Sequence, residues 1–186
     1  MLSKEKSNTR QIAIFSMLVA VTAAIQVLPK PWGLGLEFTS LLTFSTGVVF
    51  GSVFGASLGA IVMFVNAFLS SWGQAGINMP FQMLGMSMIG AVGGVYKMEN
   101  DGKARFCAES AILGAFLTFV YYTFFTNMGF ALYLAFFLSR TPLLEAFVFA
   151  QINGAIVTAL YIVSNTFLFG FGAVPLVNAI RKVLGR

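Results

Sequence analysis

From Phe38 to Leu69 the chain runs for 32 residues without a charged side chain. As a single α-helix this stretch would be about 48 Å long, against a bilayer hydrocarbon core of about 30 Å. That is too long for one crossing and short for two, unless the chain reverses within a residue or so. Gly47, Gly51, Gly55 and Gly59 fall every fourth residue through its middle, and small residues at this spacing let helix backbones approach closely. The pattern predicts two compact spans, 38–50 and 52–69, with a tight turn at Gly51.

The rest of the chain sorts in the same way. Of its 186 residues 58% are apolar and 9% charged, where a soluble domain averages about 25% charged. So few charges cannot coat a water-soluble particle, which excludes a soluble globular fold and leaves the lipid bilayer as the solvent. Further spans are predicted at about 11–28, 79–96, 106–126 and 151–171. Pro29-Lys30-Pro31 closes the first, because two prolines remove helix donors. That span follows a basic start but no small-residue cleavage site, and is expected to be retained. Asn127 to Arg140 is expected to be an external, partly embedded segment, Thr141-Pro142 to begin the last ascent, and Pro175 to open a short terminal helix; the alternative is a span over 142–163 followed by a further one over 164–184.

Charge sets the orientation. With a hairpin at 38–69, nine of the eleven basic residues fall on one side: Lys4, Lys6, Arg10, Lys97, Lys103, Arg105, Arg181, Lys182 and Arg186. Lys30 and Arg140 fall on the other. The positive-inside rule then puts both termini in the cytoplasm. The expected fold is an all-α, single-domain bundle of six transmembrane helices with its pocket open to the outside. The excess positive charge lies at span ends rather than in a patch, so a nucleic-acid partner is not expected.

Missing residue types narrow the function. With no histidine, the Ser/His and Cys/His pairs and the usual zinc sites are out of reach. There is no phosphate loop, so the chain cannot hydrolyse ATP alone. Cys107 reads as a small apolar residue. Neither an enzyme, a metal site nor a cofactor is expected.

A polar side chain at membrane depth needs a partner or a cavity. In the predicted topology Glu37, Asn66, Asn78, Gln82, Asn127, Glu145, Gln151 and Asn153 all fall in the outer half of the spans. The inner half is nearly all Leu, Phe, Val, Ala and Gly. A channel or symmetric carrier lines both halves or the midplane. This one-sidedness predicts a cup with a greasy floor, walled by Trp32, Trp72 and Tyr133, with Gln74 in the loop at its rim. A second pattern, Ser16, Ala20 and Ala24 on the first helix, admits close contact with another helix, either within this chain or from a partner subunit.

These features together resemble the substrate-binding components of energy-coupling factor transporters, vitamin-uptake relatives of ABC importers. The resemblance is carried by Ser16-x-x-x-Ala20-x-x-x-Ala24, by the glycine run from Gly47 to Gly59, and by Trp72-Gly73-Gln74. Pro80-Phe81-Gln82-Met83-Leu84-Gly85, Gly90-Ala91-Val92-Gly93-Gly94 and Ser164-Asn165-Thr166 through Pro175-Leu176 complete it. It spans essentially the whole chain. Ser16 in place of an alanine and the longer approach Gln74–Met79 depart from the family pattern.

The resemblance implies a non-enzymatic subunit that captures a vitamin or related micronutrient from outside. Through its first helix it would dock on a transmembrane coupling subunit driven by two cytoplasmic ABC ATPases. The fourth-helix motif resembles components for cobalamin-type or riboflavin-type ligands. The pocket candidates suit a large, largely neutral, ring-containing molecule. A small proton-coupled secondary carrier, using Glu37 and Glu145 and acting as an oligomer, is the competing expectation.

Overall fold

The computed structural model describes residues 2–28, 37–69, 76–96, 103–138 and 140–185, with side chains in the first segment from Thr9 onward. Six helices make up nearly all of it. They are α1 (Leu2–Val27), α2 (Phe38–Phe50), α3 (Ser52–Leu69), α4 (Met79–Val95), α5 (Lys103–Leu138) and α6 (Leu143–Leu184). A single 3₁₀ turn, Gly76–Asn78, leads into α4. Four stretches, Thr9–Val27, Ser52–Leu69, Lys103–Leu138 and Leu143–Leu184, are long and apolar enough to cross a membrane. Val53, Val95, Ile112, Ile156 and Phe171 stand bare on the outer surface. That exterior is compatible with a protein embedded in a bilayer.

The chain reverses at Gly51. Its φ of 99° is a left-handed conformation that an L side chain resists, and its N–H closes α2 by donating to the Gly47 carbonyl at 2.7 Å. As a result Gly47 and Gly55, four residues either side of the turn, meet one another and the Gly90 carbonyl of α4. A methyl group at Gly47, Gly55, Gly59, Gly90, Gly93 or Gly94 would land inside the backbone of a neighbouring helix. Three helices are therefore zipped by direct backbone contact. Ser52 and Ser87 reinforce it by donating across the α3–α4 seam to the carbonyls of Ala91 and Ala56, at 2.9 and 3.0 Å.

Helix α2 runs through the middle. Every residue from Thr39 to Gly47 is buried, because α1, α3, α4 and α6 all pack against it. Its Phe44 anchors the core with Phe169 of α6, ring centroids 5.3 Å apart, and both are fully buried.

Helices α5 and α6 run past their expected ends. The segment 127–138 continues α5 rather than forming a separate external stretch, with π-helical turns at Tyr121–Thr126 and Leu134–Leu138. Pro142 immediately precedes α6, and Pro175 lies inside that helix instead of opening a new one. Its ring sits on the exposed face, and membrane helices tolerate proline because local adjustment re-satisfies the freed backbone groups. At 36 and 42 residues the two helices reach roughly 54 and 63 Å. Their far ends form a second apolar cluster, built on Ala131, Leu134, Ala146 and Ala150.

The glycine contacts give a direct test of the packing. Gly90→Ala drives a methyl into the Gly55 carbonyl, whereas at Gly170 the nearest atom to an added methyl is the Ala111 side chain at 3.2 Å. Thermal unfolding in detergent is expected to show Gly90→Ala destabilised by about 3 kcal/mol, at the upper end for overpacking, with Gly170→Ala close to the parent. Equal midpoints would refute the zipped seam.

Candidate functional site: a polar cavity at one end of the bundle

The C-terminal ends of α1 and α3 and the N-terminal ends of α2 and α4 converge on a cavity of about 210 Å³. Glu37, just ahead of α2, Asn66 of α3 and Gln82 of α4 supply its polar wall. Glu37 is 2% exposed and Asn66 8%. Gln26 and Leu28 close the α1 side and Met63 adds an apolar patch. Gln26 is tied to α2 by accepting a 2.7 Å bond from the Thr39 hydroxyl.

The remaining wall is aromatic. Tyr121, Tyr122 and Thr126 of α5 and Tyr161 of α6 line the cavity. The first π turn of α5 explains how three of its residues do so, because i→i+5 hydrogen bonding brings Tyr121 and Thr126 toward one face. Tyr122 and Tyr161 stack with centroids 4.6 Å apart and planes 13° from parallel. The Tyr121 hydroxyl reaches the Met63 sulfur at 3.5 Å.

Two acceptors in this wall, Glu37 Oε2 and Gln82 Oε1, have no hydrogen-bond partner among the described residues. Buried polar groups are ordinarily paired. A cavity edged by orphaned acceptors is built for something that donates.

Two helical turns from Glu37 and from Tyr161 lie Phe44 and Phe169, where the core closes. The opposite end of the bundle carries the charge. There Arg10 donates to the Val183 carbonyl at 2.7 Å, Arg105 pairs with Glu109 at 2.6 Å, and Arg181 and Lys182 end α6.

Of the residues selected from sequence, Glu37, Asn66 and Gln82 share this cavity. Trp32, Trp72 and Gln74 lie outside the described residues. Asn78 faces away from it and packs against Gly129 of α5. Asn127 forms a clasp between the two long helices, donating to Gln151 Oε1 at 2.9 Å while Gln151 donates to the Thr123 carbonyl at 2.8 Å. Glu145 is exposed in the first turn of α6. Asn153 is exposed and donates back to the Phe149 carbonyl of its own helix. Tyr133, expected as a wall, stacks on Phe137 on the far hairpin. On α1, Ser16, Ala20 and Ala24 all face outward, so the stripe is not internal packing.

Sequence reasoning missed the tyrosines. Three of the five in the chain line the cavity, and the pair Tyr121-Tyr122 inside a Phe-, Leu- and Val-rich span was the available signal. It also missed Asn165, which is fully buried and donates to the Thr118 hydroxyl at 2.8 Å. Ser40, Thr43, Ser45 and Thr46 were likewise overlooked; they are buried along α2 without partners among the described residues. The half of the bundle beyond the cavity is therefore less purely apolar than expected. No group of three His, Cys, Asp or Glu gathers among the described residues.

No protein-family model, curated protein or solved structure matches this chain.

The cavity separates two sets of residues experimentally. Asn66→Ala and Gln82→Ala are expected to weaken ligand binding at least tenfold, about 1.4 kcal/mol, with unfolding midpoints near the parent. Glu145→Ala and Asn153→Ala, which point away, should leave binding unchanged. Calorimetry on the four purified variants checks this, and weakened binding in the second pair would move the site elsewhere.

Proposed function

We propose that this chain is the substrate-capturing subunit of an energy-coupling-factor-type importer in the cell membrane. It takes a vitamin or related micronutrient from outside and delivers it through a separate energising module. The observation that carries the reading is the polar cavity confined to one end of the bundle, with Phe44 and Phe169 closing the core behind it. The basic residues Arg10, Arg105, Arg181 and Lys182 cluster at the opposite end, which by the positive-inside rule faces the cytoplasm. In this reading the six helices make six crossings, both termini are cytoplasmic, and the cavity opens outward.

In this reading a partner supplies the motion and energy for inward release. The outward stripe Ser16, Ala20 and Ala24 suits that partner, because small residues let a second membrane helix approach closely. The partner is a transmembrane coupling subunit carrying two ABC ATPases.

A second reading, a proton-coupled carrier working alone, is favoured by one feature: buried Glu37 at the cavity and the unpartnered hydroxyls of α2 leading away from it. Transport assays in liposomes separate the two. The capture reading predicts ligand binding without transport by the chain alone, and uptake only with the energising module present. Transport by the chain alone, abolished by a proton ionophore, would overturn it.

The docking stripe adds a sharper outcome. Ala20→Leu places a bulky side chain on an already exposed position, so ligand binding should persist while uptake by the assembled transporter falls by about an order of magnitude or more, the scale of 1.4 kcal/mol in docking. Uptake unchanged by this substitution would remove α1 from the interface.

A further inference from the structure

The capture reading leaves the ligand's chemistry open, and the cavity narrows it. A carboxylate as buried as Glu37, with Oε2 unpartnered among the described residues, is a costly arrangement unless a positive group completes it. Among the described residues, no Lys or Arg lines the cavity. Gln82 Oε1 adds a second acceptor without a donor among the described residues. The charge argument rests on Glu37.

Shape supplies the second constraint. Tyr122 and Tyr161, stacked on one another, and Tyr121 give the cavity an aromatic side, against which a ring can pack. The cavity of about 210 Å³ has room for at least one ring with a short substituent.

We infer that the cavity selects a positively charged ring that bears N–H donors, with its cationic end on Glu37 and the ring packed beside Tyr122 and Tyr161. The inference rests on the capture reading for its biological setting and on the cavity alone for its chemistry. Neutral isosteres forfeit the ion pair, and anionic ones meet Glu37 with like charge.

Three isosteric probes test the assignment: benzamidine, benzamide and benzoate, titrated into purified full-length protein with saturation-transfer NMR and thermal unfolding as readouts. Benzamidine is expected to bind at least about tenfold tighter than benzamide, with no detectable benzoate binding. Glu37→Gln should bring benzamidine and benzamide to within about twofold of each other, and Tyr161→Leu should weaken benzamidine in an otherwise folded protein. The comparison among the three probes in the parent chain needs no variant, so it stands even if a substitution prevents folding. Equal binding of benzamide, preferential binding of benzoate, or no binding by benzamidine overturns the inference. So does a charge preference that survives Glu37→Gln.

The two readings fail separately. If benzamidine does not bind while the assembled transporter imports a neutral or anionic vitamin, the charge assignment falls and capture stands. A cation preference in a chain that transports unaided would uphold the assignment and overturn capture.

Discussion

The close approach of three backbones at Gly47, Gly55 and Gly90 is the contact on which the rest of the structure depends. In lipid there is no hydrophobic force between helices, since the solvent is as apolar as the side chains, and association rests on close packing and interhelical hydrogen bonds. Glycine at the points of closest approach lets α2, α3 and α4 pack backbone to backbone, and the Ser52 and Ser87 hydroxyls bond to carbonyls brought within reach. With α2 pinned in the centre, its first residues have one place to go. Glu37 and Thr39 are held at the end away from the Gly51 turn, facing α1, α3 and α4, and the cavity forms where those helix ends splay.

The long pair α5 and α6 completes that cavity from the side. Its aromatic wall depends on a π turn, which changes which residues share a face, and on the stacking of Tyr122 with Tyr161. The pair is bound together by the Asn127–Gln151 clasp and by Asn165 on Thr118. Both helices are longer than a hydrocarbon core is thick, and membrane helices of excess length accommodate by tilting or kinking. An apolar far end built on Ala131, Leu134, Ala146 and Ala150 fits such a tilt better than exposure to water.

How much of this was legible in the sequence follows from the physics of each element. The α2–α3 hairpin was readable to the residue, because its length conflicted with bilayer thickness and glycine at position 51 offered the one cheap reversal. Glu37, Asn66 and Gln82 were readable as polar residues near one end of an apolar span, but only within a set of eight whose other five members do not line the cavity. The continuation of α5 past Thr126 was not, because Asn127 looks like a span boundary and its interhelical bond to Gln151 depends on a helix pairing that sequence does not reveal. Pro175 misled because an interior proline loses a helix hydrogen bond and crowds the preceding turn, whereas a membrane helix can re-satisfy the freed groups locally and continue, as this one does. The π turn left no sequence mark at all. Glu145 and Asn153 have the right chemistry but stand on the exposed side of α6, a rotation that composition alone cannot fix.

The central claim is that hydrogen-bonding groups open to one side of the membrane and the glycine-zipped core seals the other. Cysteine accessibility tests it most directly. In a Cys107→Ala background, single cysteines replace Gln82 in the cavity and Thr46 near the Gly51 end, and intact cells and inverted vesicles are treated with a membrane-impermeant thiol reagent. The account predicts labelling of the Gln82→Cys protein from outside only and no labelling of Thr46→Cys from either side. Labelling of Thr46→Cys from both sides, which requires a water path through the bundle, would contradict it.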